Sequence, residues 1–264
     1  MKYDSYFTLA LFTGWISIAQ LSAAPAGYQM VWEDNFDGDK LDTTKWTAEV
    51  YHRRAAQNAA GAVTVKNGIL TLTTYTENGT NYTGFVSSRG KYDSAFGYWE
   101  ARIRWHTTPG EWGAFWVHTP SMGRPIGDVA KAGTEIDIVE HRSVDDKGKD
   151  ISNMFVMNLH WDGYGKDHKH DGGKSKVPAD APPLQDNWHT YALLWTPERY
   201  IFYLDGIEQW SSTNAISHRS EHILLTCEVE KKGWAGAIPE GGFGSRAESK
   251  TKMEVDWVRV WQKK

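Results

Sequence analysis

Short runs rich in Val, Ile, Thr, Tyr, Phe and Trp recur along the chain between Gly, Asn, Asp and Pro, and no long stretch carries the 3.6-residue period of an amphipathic helix. Residues 68–75 alternate apolar and polar side chains as a half-buried strand does. Asn78-Gly79, placed ahead of residues 82–88, predicts a hairpin turn. Residues 95–105, 113–118, 134–141, 155–161, 188–195, 199–204, 222–229 and 253–261 predict further strands. This pattern predicts an all-β sandwich of two packed sheets. Residues 162–186 are polar and lack an apolar period, so they predict a long loop. Loops of this length in a compact domain mostly serve function, which assigns it to the rim of a binding site.

The 134–141 strand carries the chemistry. In Gly133-Thr134-Glu135-Ile136-Asp137-Ile138-Val139-Glu140-His141, three carboxylates are interleaved with β-branched residues, giving one buried face and one acidic face. Strict alternation keeps Glu135 and Asp137 together but sends Glu140 into the core, because one residue too many separates it from Asp137. A β-bulge at Ile138-Val139 restores the parity. Three like charges on one face cost stability, and the crowding raises one pKa, so that one carboxylic acid can donate a proton while another stays an anion. Such a pair hydrolyses glycosidic bonds. A retaining mechanism needs the carboxyl groups roughly 5–5.5 Å apart, whereas the Cα atoms stand about 13 Å apart along a straight strand, so a curved sheet and two long side chains must bring them together. An acidic sheet edge and a calcium site are the structural readings of the same cluster.

Composition narrows the field. The 264 residues, 40% hydrophobic, suffice for one full-sized domain, expected over residues 25–264. A net charge of −4 lacks the basic excess of a nucleic-acid binder. The single cysteine, Cys227, lies in an apolar run and reads as a core residue. Residues 1–24 have Lys2, an apolar stretch and small residues at Ala23-Ala24, the pattern of a cleaved secretory signal; the expected location is secreted or periplasmic. Fourteen tryptophans and twelve tyrosines are a heavy aromatic load. Trp32, Trp46, Trp188, Trp195, Trp257 and Trp261 read as packing, whereas Trp112, Trp116, Trp161 and Trp234 lie beside glycines or loops, where open faces can stack on sugar rings. His160, His168 and His170 match no strong metal spacing. His160, on its strand, is the candidate to tune Glu140 or hold substrate.

The bulged run Glu135-Ile-Asp137-Ile-Val-Glu140 resembles the signature of glycoside hydrolase family 16. Trp32-Glu33-Asp34-Asn35-Phe36-Asp37-Gly38 with Leu41-Asp42-Thr43-Thr44-Lys45-Trp46 is similar to the family's opening. Gly97-Tyr98-Trp99-Glu100-Ala101-Arg102-Ile103, Trp112-Gly-Ala-Phe115-Trp116 and Asp256-Trp257-Val258-Arg259-Val260 resemble three of its strands. The resemblance implies a concanavalin-like β-jelly-roll with a concave substrate cleft, Glu135 as nucleophile, Glu140 as acid/base and Asp137 assisting between them, with no cofactor in the chemistry. It also implies a structural Ca²⁺ for which Glu33 and Asp256 are the nearest matches, although Asn35 stands where the opening motif usually has Glu. The bulged motif resembles the branch of β-1,3-glucanases and marine galactanases. Lichenases lack the extra residue and carry Trp where this chain has Gly133. The leading expectation is therefore a monomeric, endo-acting, retaining hydrolase of β-1,3-glucan. The alternatives are an algal galactan hydrolase of the agar, porphyran or carrageenan type, meeting sulfate through Arg53, Arg54, Arg124 or Lys166, and a non-catalytic β-sandwich lectin.

Overall fold

The computed structural model describes residues 25–264; the leader expected over residues 1–24 lies outside them. Two eight-stranded antiparallel sheets form the body of the molecule, and His52–Arg53, Ala56–Asn58, Thr80–Thr83 and Tyr75–Glu77 form a small third sheet. In the back sheet the strands run in the order Ile207–Ser212, Tyr200–Leu204, Trp188–Trp195, Gly97–His106, Lys252–Lys263, Ile69–Thr73 and Val63–Lys66, with Tyr28–Asp34 also paired to Lys252–Lys263. In the second sheet the order is Lys169–Lys176, Met154–Trp161, Glu135–Arg142, Glu111–His118, Glu221–Val229, Phe85–Ser87 and Thr47–Ala48, with Asp93–Ser94 against Glu221–Val229. This is the expected jelly-roll-like sandwich. Among the described residues no helix is long and apolar enough to cross a membrane.

The alternation read from the sequence decides which side chains meet between the sheets. Trp99, Ile103, Leu70, Leu72, Val258 and Val260 from the back sheet enter one cluster with Phe115, Val117, Ile136, Met157, Leu159, Leu225 and Cys227 from the second. Each fully buried aliphatic side chain in that layer contributes about 1.5–3 kcal/mol of transfer free energy. The opposite parity of the second sheet carries polar and aromatic residues outward, and that outer face bears the site.

Two expectations require correction. The Asn78-Gly79 hairpin joins only Tyr75–Glu77 to Thr80–Thr83. The longer runs flanking it belong to different sheets, because the chain crosses from Ile69–Thr73 in the back sheet to Phe85–Ser87 in the second. Gly84 permits the crossing, since a Cβ there would lie 2.8 Å from Leu72 Cβ. Residues 162–186, expected as an unbroken loop, contain the strand Lys169–Lys176 paired along its whole length with Met154–Trp161. It is an edge strand with largely exposed side chains, so it needs no apolar period. Gly172 and Gly173 sit where Asn158 and Trp210 approach too closely for any Cβ.

Candidate active site

The catalytic strand is Glu135–Arg142. Asp137 faces Asn158 and Glu140 faces Val156 on the neighbouring Met154–Trp161 strand, so Ile138 and Val139 together oppose the single residue between. The bulge is where parity requires it. Both bulged side chains turn into the core, Ile138 at 2% and Val139 at 0% exposure. The apolar pair is the local driving force: burying both offsets the lost ladder pairing and returns Glu140 to the outer face. Glu135, Asp137 and Glu140 then line one recess of about 270 Å³ with Trp112, Trp116, Arg53, Arg54, Tyr164 and Glu228.

Each carboxyl has its own partners. Tyr164 Oη donates to Glu135 Oε1, and His118 Nε2 lies 3.9 Å from Glu135 Oε2. Asn158 Nδ2 donates to Glu140 Oε2 at 2.7 Å. His160 Nε2 lies 3.5 Å from Asp137 Oδ2, so the histidine expected to tune Glu140 serves the middle carboxyl instead. Its Nδ1 stands 3.0 Å from His168 Nε2, and the two rings stack at 5.2 Å. Burial is the largest influence on all three carboxyls and raises each. Glu135 is pushed up to about 7, opposed by the Tyr164 hydrogen bond and then by Arg53. Glu140 also reaches about 7, opposed by the Asn158 amide and raised further by Glu135. Asp137 is driven well above the usual carboxylate range by burial, then by Glu140 and Glu135. Burial, with neighbouring positive charge, also holds His118 and His160 neutral, each lowered to about 4.

Of the aromatic residues expected at substrate, Trp112 and Trp116 line the recess, and Trp234 presents its edge to Trp112 at 5.4 Å. Trp161 does not join them. It shares the parity of Leu159 and packs against the core, because a strand's odd and even positions cannot serve the same face. Glu228, Tyr164, Asn158 and His118 are site residues that the sequence reading passed over. Glu228 had a signal: it follows core residue Cys227 and so faces outward. Its charge is balanced by Arg53 Nη2 at 3.0 Å and by Arg54 Nε. Tyr164 had only its place in residues 162–186, the segment expected at the rim of the site; as an exposed loop residue it had no period to give its direction.

Glu135, Asp137 and His160 bring ligand atoms within 4.8 Å of one another and are the described residues that could jointly hold a divalent ion. Glu33 and Asp256, expected at calcium, do not fit that role. Glu33 lies 3.6 Å from Arg259 Nε and accepts from Asn35 Nδ2, and Asp256 is paired with Arg102, so guanidinium groups already balance both carboxylates.

The family model described as "Beta-porphyranase A-D, GH16 domain" matches residues 29–263. A β-porphyranase E of Zobellia galactanivorans is 27% identical, over 90% of this chain and 89% of the relative. A glucan endo-1,3-β-glucosidase A1 of Niallia circulans is 23% identical over 90% of this chain, which spans only 38% of that longer protein. The solved structure of porphyranase B from Zobellia galactanivorans superposes with a TM-score of 0.72 at 22% identity, covering 89% of this chain and 92% of the other. With a family model spanning almost all the described residues and the bulged acidic strand in register, the chain belongs to glycoside hydrolase family 16.

Proposed function

We propose that the protein is an exported, endo-acting, retaining glycoside hydrolase in which Glu135 is the nucleophile and Glu140 the acid/base. The observation that carries this reading is the bulge between Asp137 and Glu140, which leaves both glutamates on one face of one recess. Glu140 protonates the glycosidic oxygen as Glu135 attacks the anomeric carbon, and the leaving sugar departs with that proton. Water then attacks the glycosyl-enzyme ester while Glu140, now an anion, takes its proton; Glu135 leaves as the carboxylate. Tyr164 holds one oxygen of Glu135 and leaves the other for attack. Asp137, protonated between them, spares the site a third negative charge. The leader pattern of residues 1–24 supports export.

For the substrate, a β-linked galactan with anionic groups is favoured over the neutral β-1,3-glucan of the sequence reading. Support comes from the porphyranase-type family model and from Arg89, which lines an adjoining recess of about 410 Å³ with Trp116, His118 and His222. Proton NMR of the first product tests the mechanism: retention is expected, and an inverted anomer removes Glu135 from its role. Reducing-end assays on porphyran, agar, carrageenan, laminarin and mixed-linkage glucan test the substrate. The highest kcat/KM is expected on a sulfated galactan, whereas preference for laminarin overturns that choice. No release from any β-glycan returns the lectin reading.

A further inference from the structure

Beyond Glu140 the outer face holds another recess, of about 240 Å³, bounded by Glu140, Arg142, Lys149, Met154, Val156 and Lys174. It shares Glu140 with the catalytic recess, whereas Glu135 borders the catalytic recess alone of the two. An acid/base protonates the leaving-group oxygen, so a hollow that meets the acid and not the nucleophile adjoins the leaving group.

Three cationic side chains, Arg142, Lys149 and Lys174, line the hollow with the carboxyls of Glu140 and Asp145. Arg142 lies two residues past Glu140 on the same outward parity and faces Trp112 across the ladder. Its guanidinium sits 4.1 Å from the centroid of the Trp234 ring. That ring is fixed in turn by its edge contact with Trp112. Arg142 Nε is buried and finds no hydrogen-bond partner among the described residues. Other arginines of the molecule are committed: Arg53 and Arg54 to Glu228, Arg102 to Asp256, Arg104 to Glu254. Lys174 and Glu140 face Val156 from its two sides, which puts the lysine in the row of the acid/base, two strand spacings or about 10 Å away. The one other acidic side chain at the hollow, Asp145, turns its Oδ1 to the amides of Lys147 and Lys149, 2.9 Å from each. A guanidinium over an indole ring with its Nε unpaired, in a recess that two lysines also line, suits an anion that accepts charge-assisted hydrogen bonds.

We propose that this recess is an anion subsite on the leaving-group side, in which Arg142, assisted by Lys149 and Lys174, binds a sulfate ester or uronate carboxylate of the sugar that Glu140 protonates. The inference rests on Glu140 as the acid/base. It is tested with three polymers of one backbone: sulfated, desulfated and uronate-bearing. In Arg142→Ala the ratio of kcat/KM for the charged polymer over the neutral one should fall about tenfold, the loss of one charge-assisted contact. Arg142→Lys, which keeps the charge and loses the planar fork, should fall between variant and parent. A fall in the sulfate ratio alone identifies a sulfate ester, a fall in the uronate ratio alone a carboxylate, and a fall in both a subsite for either. Unchanged ratios in a variant that melts like the parent overturn the proposal; Arg142→Gln replaces Arg142→Ala if the latter does not fold. Should the parent cut no charged polymer, calorimetric titration of Glu135→Gln with a sulfated oligosaccharide decides, and no binding, or binding indifferent to Arg142, again overturns it. Failure of the acid/base assignment is distinct: Glu140→Ala would then cut natural polymer at the parent rate.

Discussion

Asn158 stands opposite Asp137 in the ladder, yet its amide donates to Glu140 at 2.7 Å. It reaches diagonally across the bulge, and the space it needs is kept by Gly172, where a Cβ would lie 2.4 Å from Asn158 Oδ1. The amide lowers the proton affinity of Glu140. Removing it in Asn158→Ala should therefore raise that pKa and move the descending limb of the kcat/KM profile to higher pH. Loss of a hydrogen bond to a charged group is worth about 1.5–3 kcal/mol, so kcat should fall on the order of ten- to a hundredfold. Gly172→Ala should shift both quantities the same way by less. A descending limb that stays put in Asn158→Ala would detach Asn158 from the acid/base.

Inserting one alanine after Val139 shifts the parity that the bulge restores and sends Glu140 toward the core, whereas deleting Ile138 leaves an unbulged strand with Glu140 still facing outward. In the insertion variant activity should drop by 10²–10⁴-fold, roughly the share of a general acid/base, while circular dichroism still reports the sandwich. Near-parent rates in a folded insertion variant would mean that strand parity does not orient Glu140.

The crowded carboxyls set a pH dependence of stability. Glu135 and Glu140 have folded pKa values of about 7, above the 4.5 of an ordinary glutamate, and buried Glu111 is pushed up to about 8. Groups raised in this way bind protons more tightly in the folded state. Their contribution is complete below pH 4.5 and is lost as pH rises through 7 to 8. Glu140→Gln should accordingly be more stable than the parent at pH 8 by on the order of 1–3 kcal/mol, with the difference vanishing near pH 4. Equal Tm values at pH 8 would contradict the raised pKa.

Trp161 and Trp112 should separate by assay. Trp161→Ala removes a half-buried ring that packs against the core and should lower stability while sparing KM. Trp112→Ala should raise KM severalfold, because its ring borders the recess. The reverse pattern would return Trp161 to the substrate side.

What the sequence revealed and what it hid have physical causes. The bulge was legible because three carboxylates and a fixed period of two admit one solution that keeps Glu140 out of the core. The packing of Trp161 against the core was open to the same reading, because Trp161 alternates with His160 and follows Leu159 in parity. Lys169–Lys176 escaped notice since an edge strand with both faces largely wet needs no hydrophobic alternation. Its glycines reflect close approach by Asn158 and Trp210, a relation that exists only in three dimensions. Tyr164 lies in a loop with no period to give its direction, and it reaches Glu135 from 29 residues away.

The division of labour between the two glutamates is tested most directly by the product that azide forms with each alanine variant, using an aryl β-glycoside whose leaving group departs without a proton. In Glu140→Ala, Glu135 still forms the glycosyl-enzyme and azide intercepts it without needing a general base, so activity should recover with a β-glycosyl azide as product. In Glu135→Ala, azide takes the place of the missing nucleophile and the product should be the α-glycosyl azide. A β-azide from Glu135→Ala together with an α-azide from Glu140→Ala would exchange the two roles and contradict the assignment made from the strand.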